Sequence, residues 1–552
     1  MSTGARLDAD AAATPTTFSP LKNQTFRSIW LSTQVSSLGW MMQTVAIGWL
    51  MATVSTSDLM VALVQAASTL PAFILSVFVG AIADNLGRRG VMLVGRSLIA
   101  AASAVLTALI ALGFVDPWII LGVSFVIGCG VALNDPAWQA SIGDIVERRD
   151  IPAAVTLLNI GFNTIRSVGP ALGGIVVASF GPLITLLLST LSYVVPLGVI
   201  WRSKWSVQSS PLPRERMTTA IYDGVRFTTI SSEIKAAITR AALLGLAGIA
   251  ILALLPLVVR DHLNGGPFEY GVLMAGFGIG AFFAGITAGH FRRRMSQEWL
   301  IRLACLACAA CSASLAAAPS VGVAATVLAL GGAGWVLAWS GFGVSVQLAS
   351  PRWIVGRTIS IYYALTYGGI AAGSWVWGSV AENYSLTTAL LGSAGALVLV
   401  AATGFVLPVL ENKDTDHDPL EGFKAPAVAV ELRSRSGPIV VKIEYEIRDE
   451  NTEEFLALMH ERRRAQSRLG ARHWTVERDL QDPCHWTETF RTPTWTDYLR
   501  LNHRRTTADK ELDDRLQELH KGEQSPRVKL SIERPAGHPR KADHIAPFIA
   551  RI

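Results

Sequence analysis

The sequence predicts a mostly α-helical membrane protein, with twelve spans in two sets of six, followed by a small α+β domain. Three observations carry this. Charge is divided unevenly: residues 411–552 hold 25 Lys and Arg and 26 Asp and Glu, leaving 23 basic and 16 acidic residues for 1–410 out of totals of 48 and 42. The charge-poor part breaks into apolar runs of the length a bilayer requires, roughly 20 residues as a helix. Its two halves also repeat at one offset, 292 − 88 = 204: Arg88-Arg89 maps onto Arg292-Arg293, Gly169 onto Gly373, and Asn159 and Asn163 onto Tyr363 and Tyr367.

Residues 1–25 form a polar, Ala/Thr-rich tail without the apolar core of a cleavable signal, so the first span is expected to direct insertion. Apolar runs at 28–54, 57–83, 91–113, 117–140, 153–180 and 183–202 make the first bundle, 26–202. A longer charged loop follows at 203–237. Runs at 238–260, 267–290, 299–317, 320–348, 358–381 and 385–409 make the second bundle, 238–410. Arg88, Arg89, Arg148, Arg149, Arg202, Lys204, Arg292, Arg293, Arg294 and Arg357 fall in loops on one side. The other side has little beyond Asp58, Asp116, Arg260, Asp261 and Glu382. The basic side is expected to face the cytoplasm, with both termini. The membrane part's excess of seven positive charges (23 − 16) therefore argues for topology rather than nucleic-acid binding.

Five cysteines show no disulfide framework. Cys305, Cys308 and Cys311 sit at three-residue spacing on an apolar helix and read as small packing residues rather than metal ligands. No metal or cofactor is expected, and the absence of a phosphate-loop motif argues against ATP-driven pumping.

The stretch Gly80-Ala-Ile-Ala-Asp84-Asn85-Leu-Gly87-Arg88-Arg89 joins the second and third spans. It resembles the corresponding loop of the major facilitator superfamily, G-x-x-x-D-R-x-G-R-R/K, with Asn85 where the family usually has arginine. A plain basic turn that sets topology is the simpler alternative. The resemblance implies alternating access around a substrate site between two parallel repeats. It also implies that this loop is a cytoplasmic gate. Asp84 would meet the positive end of the eleventh span near Arg357-Thr358, and Arg88 would pair with Asp144 or Glu147. The second half lacks a complete copy, since Asp84 maps to Ala288 and Gly87 to Phe291.

The fifth span places Asn159, Asn163, Arg166 and Pro170 on one face, at spacings of 0, 4, 7 and 11. An arginine inside a span costs at least ~2.5–3.5 kcal/mol on insertion scales, so Arg166 should face a cavity or a partner. Asp135, in Asn134-Asp135-Pro136-Ala-Trp138-Gln139, is the expected partner; the alternative places it as a capping residue at the helix end. Gly169-Pro170-Ala-Leu-Gly173-Gly174 resembles the G-P-x-x-G-G signature of drug/proton antiporters in this superfamily, and a hinge is expected there. Such antiporters often carry an arginine within the fourth span, where this chain reads Phe125-Val-Ile-Gly-Cys-Gly130. Asp135 with Arg166 is the expected substitute. Gln34, Gln43, Gln65, Asn134, Asn159 and Asn163 are candidate cavity residues, and by the repeat Trp335, Trp339, Tyr363 and Tyr367 face them. A wall with charge opposite a wall of rings suits amphipathic organic solutes.

After a linker at 411–435, residues 436–552 read β-α-β-β-α-β: Ile439–Ile447, Thr452–Ser467, His473–Leu480, His485–Thr492, Trp495–His520 and Val528–Ile532. This is a ferredoxin-like unit, and such units often self-associate. The phrases Arg468-Leu-Gly470-Ala471-Arg472-His473-Trp474, Trp495-Thr-Asp497-Tyr498-Leu499-Arg500 and Asn502-His503-Arg504-Arg505 resemble the tail of the bacterial transmembrane secretion effectors, a major facilitator subgroup related to siderophore and macrolide exporters. The resemblance implies a multi-pass, non-enzymatic inner-membrane exporter of small organic compounds coupled to protons. The alternative is a transporter-derived scaffold or sensor whose tail, through His473, Trp474, His503 and Arg504-Arg505, has a regulatory or monooxygenase-like activity.

Overall fold

The computed structural model describes residues 18–203, 217–351, 353–409, 426, 428–522 and 525–534; at 77, 79–86, 148, 159, 163 and 217–220 only the backbone is described. The chain divides into two compact units, one of 1–221, 235–346 and 359–411, the other of 222–234, 347–358 and 412–552.

The first unit is helical. Its helices are α1 (Gln24–Val54), α2 (Asp58–Leu86), α3 (Arg88–Ala111) and α4 (Pro117–Ile145), then the continuous stretch Ile151–Arg202. That stretch holds two spans, α5 and α6, broken at Gly181, whose φ of 80° is a conformation that favours glycine. After α7 (Met217–Ile230), most of which belongs to the second unit, come α8 (Ser232–His262), α9 (Pro267–Arg294), α10 (Gln297–Leu315), α11 (Val321–Leu348), α12 (Val355–Asn383) and α13 (Leu386–Ala402). Among the described residues nine stretches are long and apolar enough to cross a membrane. Counting Ile151–Arg202 twice and adding the more polar α1 and α12 gives the twelve expected.

Helix starts follow local chemistry. Asp116 accepts from the Trp118 and Ile119 amides ahead of α4, with Pro117 at the first position where no amide hydrogen is needed. Ser57, Ser296 and Ser385 do the same for α2, α10 and α13. Close crossings use small residues. A Cβ on Gly95 of α3 would lie 2.7 Å from the Gly130 carbonyl of α4, so these backbones touch.

Two expectations need correction. The middle connection 203–237 is not all loop, because the amphipathic run from Met217 forms α7 and α8 already begins at Ser232. In the tail, the helix expected over 495–520 breaks into α15 (Trp495–His503) and α16 (Thr507–Leu519). Thr506 starts a second helix there by exchanging hydrogen bonds with Asp509 in a capping box.

The tail otherwise has the expected order: β1 (Ile439–Glu446), α14 (Thr452–Leu469), β2 (Arg472–Arg478), β3 (His485–Thr492), α15, α16 and β4 (Arg527–Ile532). The strands lie antiparallel in the order β2-β3-β1-β4. Alternation in β1 sends Ile439, Val441, Ile443 and Tyr445 into a core with Phe455, Leu458, Phe490 and Leu501. A fully buried carboxylate, Glu488, sits in that core. It accepts from Tyr445 Oη at 3.0 Å, Arg462 Nε at 2.6 Å and Trp474 Nε1 at 2.7 Å. Arg462 and Arg505 both also bind Asp513. Burial pushes the Tyr445 phenol well above its ordinary range. Each charge in this interior has a partner, as burial demands.

Candidate functional site

The polar wall is built on α3 and α4. Asp135 precedes the end of α4 by ten residues (145 − 135), about 15 Å of helix, so it is not a cap. Arg96 of α3 is 7% exposed. Its Nε donates to Asn134 Oδ1 at 3.0 Å, and its Nη1 donates to Ser36 Oγ at 2.8 Å. The Asn134 amide donates to Asp135 Oδ1 at 2.9 Å. The buried cation thus reaches the acid at one remove, through Asn134, while the Asp135 side chain stays exposed. Sequence reasoning missed Arg96. The argument applied to Arg166, an arginine inside an apolar run, would have found it.

The expected Asp135–Arg166 pair is not among the ion pairs of the described residues. Arg166 instead places its guanidinium 5.6 Å from the ring centroid of Phe277, on α9. Its neighbour Ser167 donates to the Gly278 carbonyl at 2.9 Å. α5 therefore meets the second bundle at this level, and its arginine packs against that bundle. Gln43 also departs from expectation. It is 2% exposed and accepts from Ser103 and Tyr193 at 3.1 and 2.8 Å inside the first bundle, so it holds helices together rather than lining a cavity. Gln34 is half-buried with its amide packed over Gly161, and Gln65 accepts locally from Ser68. The side chains of Asn159 and Asn163 lie outside the described residues.

The ring wall is built on α11 and α12. Trp339 stacks on Trp335 at 5.9 Å, and Tyr362, Tyr363 and Tyr367 surround it at 6.2, 6.4 and 5.8 Å between centroids. The Tyr362 hydroxyl donates to the Trp339 carbonyl at 2.9 Å, which fixes α11 against α12. Tyr367 is within electrostatic reach of both Asp135 and Arg166.

At the basic end, Gly87 turns the chain from α2 into α3 with φ 78°. Arg88 Nη1 donates to Asp144 Oδ2 and to the Ala140 carbonyl, both at 2.7 Å. Of the two candidates for Arg88, Asp144 is the partner; Glu147 pairs with Arg149 at 2.9 Å. Arg89 donates to the Ile200 and Trp201 carbonyls at 3.1 and 2.5 Å, where a cation suits the C-terminal end of α6. Gly80 and Asp84 lie on α2, and their side chains fall outside the described residues. A second cluster was not foreseen: Arg240, fully buried, donates to Glu298 at 2.5 Å, and Arg302 donates to the same carboxylate at 2.6 Å.

At the opposite end the bundles grip one another. Arg260 of α8 donates to the Ala52 carbonyl at 2.6 Å and reaches Asp58 at 3.3 Å. Glu382 accepts from Ser57 Oγ at 2.8 Å and from the Leu59 amide at 2.9 Å. Of the expected hinge, Gly169 and Gly173 pack against Met41 and Met42 of α1 within the first bundle. Gly174 meets the second bundle, where a Cβ would lie 2.6 Å from Gly271 Cα on α9, and the Pro170 carbonyl lies close to Gly271. By contrast the ion pairs Arg88–Asp144 and Arg240–Glu298 each stay inside one bundle. Charge and close packing thus hold the bundles together at the Arg260 end.

Known proteins share this architecture. The solved nucleoside transporter NupG, in a point-mutant form, aligns with a TM-score of 0.57 at 15% identity, covering 70% of this chain and 100% of its own. A D-xylose–proton symporter aligns at 0.56 and 14%, covering 69% and 97%. At these identities the likeness shows the fold. A closer relative in sequence is the multidrug efflux pump Tap of Mycolicibacterium fortuitum, 23% identical over 373 residues, which are 66% of this chain and 90% of Tap. The model of the transmembrane secretion effector family matches residues 15–536, the membrane part and the tail together. The chain therefore belongs to the transmembrane secretion effectors of the major facilitator superfamily, a family of membrane transporters rather than enzymes.

Proposed function

We propose that this transporter exports small amphipathic organic compounds across the bacterial inner membrane, by alternating access and in exchange for protons. The basic end and both termini face the cytoplasm in this reading. The observation that carries it is an acid, Asp135, far inside α4 and within electrostatic reach of Tyr367, which belongs to the Trp339–Tyr363–Tyr367 ring cluster. An acid far inside a span is costly unless it serves a path for ions or solute. Rings offer area and π-faces to an apolar or cationic body. A proton and a solute competing for one carboxylate gives exchange, because whichever binds displaces the other. Tap's activity, multidrug efflux, supports the outward direction. The arginine arrangement differs from the one expected, with Arg96 setting the charge behind Asp135 and Arg166 placed at the bundle crossing.

The tail offers less for the scaffold or enzyme alternative. Trp474 and Arg505, two of its expected active residues, are engaged with Glu488 and Asp513 inside the core. The deciding experiment is efflux from cells lacking their major pumps, with wild type, Asp135→Asn and Trp339→Ala at matched membrane levels. Lipophilic dyes, macrolides and siderophore-like compounds are the probes, with and without a protonophore. Expected are lower accumulation with wild type, loss of that effect with the protonophore, and at least ~10² lower efflux for Asp135→Asn, as for loss of a proton-transfer group. Wild-type efflux that persists in Asp135→Asn would overturn the assignment of the carboxylate.

A further inference from the structure

The compact unit containing the tail also contains two segments from the membrane part of the chain, 222–234 and 347–358. The first ends α7 and opens α8; the second joins α11 to α12. The tail holds both. Arg504, at the end of α15, has its Nη1 3.3 Å from Asp223 Oδ2 and its guanidinium 4.0 Å from the ring centroid of Trp353. One tail side chain thus binds a residue from each segment. Trp353 also packs on the tail's apolar core and meets Phe227 edge-on at 5.9 Å, so the two segments touch each other under the arginine.

A second contact stands beside it. Gly470, with φ 117°, ends α14 in the left-handed conformation and turns the chain toward β2. The Ala471 carbonyl that follows accepts from Arg226 Nη2 at 2.6 Å, and Arg472 lies 5.6 Å from the Tyr222 ring. The Arg504–Asp223 pair is largely out of water, with 12% and 14% of the side chains exposed, so salt screens it little.

We infer that the tail is an internal clamp: through Arg504 and the Ala471–Arg472 turn it binds the segments leading into α8 and α12 and makes them move together. Both helices belong to the second bundle, so the clamp fixes the spacing of two of that bundle's helices where the chain enters them. Anything that binds or displaces the tail then acts on those two helices.

The test is amide hydrogen exchange on the full chain in lipid nanodiscs. Arg504→Ala should raise exchange in both 222–231 and 347–357, by about tenfold for loss of a local cooperative contact. Protection of β1 and β3 should stay unchanged, showing that the tail remains folded. Arg504→Lys should fall between, because it keeps the charge toward Asp223 and loses the flat guanidinium over Trp353. If Arg504→Ala also loosens the sheet, Asp223→Asn, which alters no tail residue, should still loosen both segments. Unchanged exchange, or a change in one segment alone, overturns the clamp. The effect on transport rests on the proposed export activity and is read separately, as efflux rate in Arg504→Ala at matched levels. Raised exchange with an unaltered rate overturns the coupling, whereas absence of wild-type efflux counts against the transport reading and leaves the exchange result standing.

Discussion

At the scale of single residues, Arg96 has the largest expected effect. It donates to Ser36 and Asn134 from α3, and those groups lie on α1 and α4, so one buried cation joins three helices. Hydrogen bonds from a charged donor contribute about 1.5–3 kcal/mol each. Arg96→Ala should cost about 3 kcal/mol on that basis and leave Asn134 without its donor. Denaturant unfolding in detergent is the measurement, with Arg96→Lys expected to recover part of the loss. Efflux should fall as well, because Asn134 then no longer orients toward Asp135. The place of Asp135 deep inside a span was legible in the sequence, since it lies within an apolar run. Its partner was not. Arg166 and Arg96 are both arginines in apolar runs, and only the packing of α3 against α4, through Gly95 and Gly130, says which one comes near.

At the scale of helices, Gly174 and Gly271 decide how closely α5 approaches α9. No side chain fits between these backbones, so Gly174→Val must force the helices apart. Efflux should drop at least about tenfold with membrane levels retained, the loss expected when a tight small-residue crossing is filled. Gly198→Ala, in a position with nothing within 4 Å of the added carbon, should behave as wild type and serves as the control. The glycine signature pointed to this helix correctly, but the pattern did not separate glycines facing α1 from the one facing α9. The alternation of β1 and β3 made the tail strands readable within a residue or two. The break at Thr506 was not anticipated, although Thr506-Thr507-Ala508-Asp509 contains the capping pattern that causes it.

For the molecule as a whole, the contacts at the Arg260 end join the two bundles across a long stretch of sequence. Arg260 and Glu382 cross between the bundles, so they must let go if the Arg260 end is to open. Partly exposed pairs of this kind contribute about 0.2–1 kcal/mol each. Arg260→Ala with Glu382→Ala should therefore shift the two-state balance toward opening by roughly two- to thirtyfold. Spin labels on the α2 and α12 ends would read this as a larger population at long distance, and an unchanged distribution would show that Gly174–Gly271 packing alone holds that end. The twelve-span plan and its duplication were plain in the sequence because apolar length and a single repeat offset are both one-dimensional signals. The cross-bundle contacts at the Arg260 end were not, since they depend on residues far apart in the chain meeting across two bundles.

The Gly181 break also shapes what the Arg260 end of the molecule offers to others. At that end α5 passes into α6 through a single glycine, α1 reaches α2 within Ser55–Ser57, and α12 reaches α13 through Tyr384 and Ser385. Turns of one to three residues contribute little of the roughly 800 Å² per partner that a specific contact needs, so a second protein meeting this end must bind mainly the helix ends and the longer connections.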